Sequence, residues 1–149
     1  MAAYHDIACM TFGRLLQVYT RESAPKRRVT SAELLSHRLH GVDNTGNVRV
    51  WFSEHVLLHT LLEQHLDECK QNAVLEIAAG MTGLCGLGIA AHLEDARVYL
   101  TDGHPLCAAN LRVCVEMNRQ RGVLKSKTRA VQLLWSKVRV RANACTVFL

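Results

Sequence analysis

Residues 74–88, VLEIAAGMTGLCGLG, and residues 98–104, VYLTDGH, set the tightest limits on how this chain folds. An apolar run ending in Glu76 passes into small residues and glycines, then an apolar helical stretch, then a second apolar run ending in Asp102. That order predicts strand, tight turn, helix, strand, acid: the front half of a nucleotide-type binding unit. Gly80 and Gly83 fall at the turn, where a missing Cβ lets a ligand approach and positive φ is tolerated. The helix starts near Gly83 and aims its N-terminus at the site. Asp102 follows Gly80 by 22 residues, a spacing that fits two parallel strands and their connecting helix in one right-handed unit.

A length of 149 residues, 49% of them apolar, suits one domain with a real core, and 5% aromatics make that core aliphatic. No uninterrupted apolar stretch of about 18 residues exists, so a membrane span is excluded. The N-terminus lacks the basic region and long apolar block of a secretory signal. Cys9, Cys69, Cys85, Cys107, Cys114 and Cys145 form no C-x-x-C pair. They read as buried reduced thiols rather than a disulfide or zinc framework, which predicts no metal site and a cytoplasmic or nuclear protein. Of 18 basic residues, eight lie between Arg119 and Arg141, and no acid follows Glu116. Such a block is either a solvated basic face or a surface for an acidic protein; nucleic acid is the less favoured partner.

Along the chain, residues 4–20 suit strand or helix, and the polar segment 21–31 with Pro25 reads as a loop. A helix is predicted over 31–40 with Ser31 as its cap. Residues 41–47 are turn formers, and VRVWF alternates like a short strand. Leu57, Leu58, Leu61, Leu62 and Leu66 recur at helical spacing, predicting a helix from Ser53, capped there, to about Cys69. Further helices are expected over 83–93 and 105–121, the latter with Pro105 in its first turn. RAVQLLW, 129–135, is a third strand candidate, and KVRVR an edge strand or frayed tail. His104 reads as a solvent-facing loop residue, and Asn110 and Asn118 as helix-surface or capping groups.

The turn also discriminates among nucleotides. Ala78 and Ala79 before Gly80 break the G-x-G-x-x-G pattern that seats a pyrophosphate on a helix N-terminus. Glu76 at the strand end would repel a pyrophosphate, unless it is simply paired with a neighbouring base. It suits a ligand carrying positive charge, and S-adenosylmethionine, with a sulfonium and an ammonium, is such a ligand. A methyl donor is favoured over NAD.

VDNTGNVRVWFSEHVL (42–57), VLEIAAGMTGLCGLGIA (74–90), VYLTDGH (98–104) and VQLLW (131–135) together resemble successive motifs of the calmodulin-lysine N-methyltransferases, within the class I, seven-β-strand methyltransferases. The ordered combination of DNTGN, W-x-SE and G-M-T carries the likeness, over roughly residues 42–135. It implies an α/β, Rossmann-like class I methyltransferase fold, here an incomplete parallel sheet with flanking helices. The organisation it implies is an N-terminal segment (1–41), a partial cofactor-binding domain (42–135) and a divergent basic tail (136–149). It further implies S-adenosylmethionine as cofactor and calmodulin or another acidic protein as substrate. By position, Glu76 and Gly80 would lie at the methionine end of the cofactor, and Gly83 would open the next helix. Asp102 would take the ribose hydroxyls, Trp135 would flank the adenine and Trp51 would border the pocket. No catalytic residue can be assigned.

The chain departs from the pattern at Ala78 and Ala79, where the family has glycines, and at Phe52, where it has proline. Alanine where φ must be positive costs on the order of 1 kcal/mol and crowds a ligand, so weakened cofactor binding is expected. The acidic motif of the family's fourth strand is not recognisable in SKVRVRANACTVFL. A sheet of three or four strands should leave an edge and apolar helix faces uncovered. The expectation is therefore an N-terminal portion or shortened form with a divergent end. It is either a lysine methyltransferase or a non-catalytic fragment that binds cofactor or a partner.

Overall fold

The computed structural model describes residues 3–9, 14–21, 50–134 and 145–148, with side chains for 17–21, 50–70 and 72–134. The segments holding DNTGN, the helix expected over 31–40, KVRVR and Trp135 lie outside the described residues. Two strands, β1 (Ala3–Cys9) and β2 (Arg14–Thr20), settle the ambiguous N-terminal stretch as an antiparallel hairpin, pairing Ala3 with Thr20 and Cys9 with Arg14. Then follow α1 (Phe52–Gln64), α2 (Leu66–Gln71), β3 (Ala73–Glu76), α3 (Leu84–His92), β4 (Arg97–Asp102), α4 (Pro105–Gln120), β5 (Lys127–Gln132) and β6 (Cys145–Phe148).

Phe52, expected in a strand, opens α1, and its cap position falls to Trp51 rather than Ser53. The helix expected to reach Cys69 is interrupted at His65. The third strand begins and ends earlier than its apolar run suggested, because Lys127 and Arg129 alternate with Thr128 and Ala130 along the β4 register.

The sheet runs β5-β4-β3-β6, every neighbouring pair parallel. β3 therefore has β4 on one side and β6 on the other, and the strand order reverses at β3. In open α/β sheets, ligands bind in the crevice at the carboxyl ends of strands at such a switch point. Here those ends are Glu76 and Asp102. β6 comes from the segment read as a divergent tail and pairs Glu76 with Phe148.

All nine residues of α3 are buried, because four elements press on it: β3 and β4 from the sheet, α1, and β2. Leu58 and Leu62 of α1, Leu87 and Ile89 of α3, Val74, Val98, Leu100 and Leu111 form one core with Val18 of β2. At Gly88 a Cβ would overlap Leu58, so this glycine sets how closely α1 and α3 approach. The exposed apolar helix faces expected of so short a sheet are, for α3, covered by the hairpin.

Two asparagines on α4 hold the hairpin there. Asn118 Oδ1 accepts the Tyr19 N–H (2.8 Å) while its Nδ2 donates to the Tyr19 carbonyl (2.6 Å), as a neighbouring strand would. Asn110 Nδ2 donates to the carbonyls of Arg21 (2.6 Å) and Met81 (2.5 Å), and its Oδ1 accepts from Arg21 Nε. Both side chains are fully buried, so the surface or capping role expected of them is overturned. The Arg121 guanidinium stacks 4.5 Å above the Tyr19 ring at the same junction.

Burying an amide's polar groups is tolerable only with such partners, and removing one side leaves the other's desolvation uncompensated. Asn118→Leu should therefore lower unfolding stability by about 2–4 kcal/mol in urea titration. Gln120→Ala, on the exposed side of the same helix, should change it by less than about 0.5 kcal/mol.

Candidate functional site

Between Glu76 and α3 the chain turns tightly. Ala78, Gly80 and Gly83 take left-handed φ values of +58°, +62° and +57°. The Ala79 N–H donates to the Thr101 carbonyl (2.9 Å) and the Gly83 N–H to the Ala79 carbonyl (3.0 Å), which staples the turn to β4 and to itself. Gly83 is required twice: by its φ, and because a Cβ would stand 2.7 Å from Leu111 Cδ2. The strain anticipated from the alanines falls on Ala78 alone, whose side chain is exposed at the turn.

Asp102 ends β4 with only 5% of its surface exposed. Its Oδ2 accepts the Gly80 N–H (3.0 Å) and its Oδ1 the His104 N–H (2.7 Å). A carboxylate has about four acceptor sites, so Asp102 retains capacity to accept from a ligand beyond these protein donors. This is no ordinary turn aspartate; it ties the glycine turn to the start of α4. His104 is buried rather than solvent-facing, and its Nδ1 accepts the Leu106 N–H (3.1 Å) as the N-cap of α4. The thiol of Cys107 donates to Asp102; burial chiefly, then the Asp102 charge and that bond, push the thiol up to about 12. Cys69, Cys85 and Cys114 are likewise free, buried and raised, chiefly by burial.

Glu76 ends β3, also buried, and its Oε2 accepts the Gly86 N–H (2.9 Å). Thr101 Oγ1 donates to its backbone carbonyl (2.7 Å). The neighbouring base considered from sequence is not found: among the described residues no ion pair joins Glu76. Burial pushes its carboxyl up to about 8; the Gly86 N–H opposes this and the negative charge of Glu54 adds to it. A Cβ on Gly86 would overlap Leu100 and stand 2.6 Å from Glu76 Oε2, so the helix sits this close only because residue 86 is glycine.

Glu54 is a site residue that the sequence reading did not single out, naming it only within W-x-SE. Its Oε1 accepts the Trp51 N–H (3.0 Å), but its Oε2 crosses to the start of α3, where it accepts from the Leu84 N–H and Thr82 Oγ1 (3.3 Å each). The W-x-SE element was the available signal, an acid placed one helix before the nucleotide-type strand. Trp51, 42% exposed, is thereby held two hydrogen bonds from the α3 N-terminus. The structure thus brings Trp51, Glu76, Gly80, Gly83 and Asp102 around one turn; Trp135 falls outside the described residues. Among the described residues, no three His, Cys, Asp or Glu side chains gather as a metal cluster.

A parallel sheet that reverses order at β3, a left-handed glycine turn after it and buried acids ending β3 and β4 define a Rossmann-like unit of the methyltransferase kind. The chain belongs to the lysine methyltransferase family, whose sequence model matches residues 33–145. It is 32% identical over 98 residues to a calmodulin-lysine N-methyltransferase of Arabidopsis thaliana, an alignment covering 66% of this chain and 31% of that protein. The chain thus spans about a third of the length of that curated relative.

The raised carboxyl of Glu76 has a stability consequence. Because its folded value of about 8 lies above the ordinary 4.5, the folded state holds the proton more tightly. The resulting stabilisation is full below pH 4.5 and is lost as pH rises through about 8. Glu76→Gln cannot ionise, so its melting temperature relative to the native chain should climb between pH 4.5 and 8 and level off above. A constant difference across that range, by scanning calorimetry, would contradict the burial of an ionisable Glu76.

Proposed function

We propose that the turn between β3 and α3 binds S-adenosylmethionine, and that the protein is a lysine N-methyltransferase acting on calmodulin or another acidic protein. The observation that carries this reading is Asp102, a buried carboxylate anchored by the Gly80 and His104 amides with acceptor capacity left for ribose hydroxyls. Glu76 fits the same ligand: a buried carboxyl next to a second acid favours a cationic group beside it. The name of the similar plant protein supports the substrate.

When bound, S-adenosylmethionine supplies a methyl group on a sulfonium, open to in-line attack by a neutral lysine amine. This chain's residues would chiefly bind and align. Asp102 would orient the ribose, Glu76 the charged methionine end, Gly80 and Gly83 would leave room for backbone approach, and Trp51 would border the cofactor. Trp135, at the end of the third predicted strand, would flank the adenine. Arg119, Arg121, Lys125, Lys127 and Arg129 are all exposed from the end of α4 through the connection into β5, a basic stretch that would steer an acidic partner. Four buried, unpaired cysteines suit a reducing compartment, and we place the protein in the cytoplasm or nucleus on that basis.

A second reading, a cofactor- or partner-binding protein without activity, is favoured by Ala78, held at φ +58° at the turn where the family has glycine. Titration calorimetry with S-adenosylmethionine, followed by transfer of a labelled methyl to calmodulin, separates the two. Binding with transfer supports the enzyme; binding without transfer supports the second reading; no heat at millimolar ligand removes the cofactor from both. Asp102→Asn keeps the shape and loses the charge, and should weaken S-adenosylmethionine binding roughly 10- to 100-fold, the worth of a charge-assisted hydrogen-bond pair. Unchanged affinity in a folded variant would remove the ribose assignment. Ala78→Gly relieves left-handed strain at the mouth of the turn and should raise stability by about 0.5–1 kcal/mol in urea titration without weakening the cofactor.

A further inference from the structure

The first amides of a helix are unpaired within it and carry the positive end of its dipole, which is why dinucleotide folds seat a phosphate there. In α3 two of these groups, the Leu84 and Gly86 amides, are taken before any ligand arrives. Leu84 N–H donates to Glu54 and Gly86 N–H to Glu76, while Leu87 N–H is the first to bond back to the turn, at the Gly83 carbonyl. The Glu54 carboxylate and the Glu76 carboxyl, which burial keeps largely protonated near neutral pH, thus answer a partial positive charge of about half a unit, and the charge of Glu54 alone leaves the turn net negative. The two acids arrive from different elements, α1 and β3, and Glu54 is oriented from both sides, by Trp51 N–H and Thr82 Oγ1.

We propose that Glu54 is a specificity-determining residue of this site: by occupying the Leu84 amide it excludes anionic nucleotides and favours a nucleoside bearing positive charge. The inference rests on the turn being a cofactor site, and it adds to that reading what the site refuses. A purely structural Glu54, joining α1 to α3, would affect stability but leave the ranking of ligands untouched.

Calorimetry on native protein and Glu54→Gln, with S-adenosylmethionine, S-adenosylhomocysteine and ADP as probes, reads the ranking directly. The glutamine keeps an acceptor for Leu84 and removes the charge. Its preference for the sulfonium over the thioether should fall about fivefold and its ADP affinity should rise about as much, as expected on deleting one unit charge near the ligand. Unchanged ratios in a folded variant overturn the proposal. If native protein ignores S-adenosylmethionine while the variant gains ADP, the cofactor reading falls and the anion exclusion stands; if neither occurs, both fall. Glu54→Ala guards against a poorly folded glutamine variant. With the Leu84 amide open, added formate should raise its melting temperature more than that of native protein, and an equal rise in both would overturn the role of Glu54.

Discussion

The close seating of α3 on β3 and β4, possible because Gly86 carries no Cβ where Leu100 and Glu76 press in, governs the geometry of the rest. A helix displaced outward by a methyl group would carry the Gly86 amide away from Glu76 and the Leu84 amide away from Glu54. It would also open the contact in which Gly88 meets Leu58. Packing at two glycines thus places the charges, and the charges give the turn its chemistry.

Those charges form an unusual balance. Burial makes Glu76 reluctant to ionise, the Gly86 amide eases it, and Glu54 works against it. Asp102, on the next strand, is equally buried but answers to two backbone amides. Three acids around one turn of backbone would repel a phosphate and welcome a cation. The same turn geometry that serves dinucleotides elsewhere is here turned to a ligand of the other sign.

Much of this was legible along the chain because it is local. The glycine turn, the α3 and α4 bounds and the acid ending β4 lie within one stretch, where strand and helix periodicities and the Gly80–Asp102 spacing speak directly. What escaped notice is mostly non-local. Glu54 meets a helix 30 residues on, and Asn110 and Asn118 meet backbone just after and near the end of β2, 89 and 99 residues away, so nothing in their own helix announced them. His104 misled because a histidine after Asp-Gly has the look of a loop, whereas its ring is needed to cap α4. Phe52 followed an alternating run and so looked extended, yet the reciprocal bonds between Trp51 and Glu54 start a helix there. β6 draws its pairing from β3, and a short segment such as CTVF carries too little periodicity to declare a partner.

The asparagine clamp on β2 has a consequence for assembly. Along a strand, backbone N–H and C=O groups point alternately to opposite edges, so a slip of one residue turns every one of them around. Asn118 reads both groups of Tyr19, and Asn110 reads the Arg21 carbonyl two residues further on, from positions about 12 Å apart along α4. A hairpin shifted by one residue would set opposite both amides residues whose N–H and C=O point to the other edge, and would lose both contacts at once. The clamp therefore works as a two-point gauge of register, accepting the N-terminal hairpin in the one alignment that also places Val18 in the core and rejecting its neighbours.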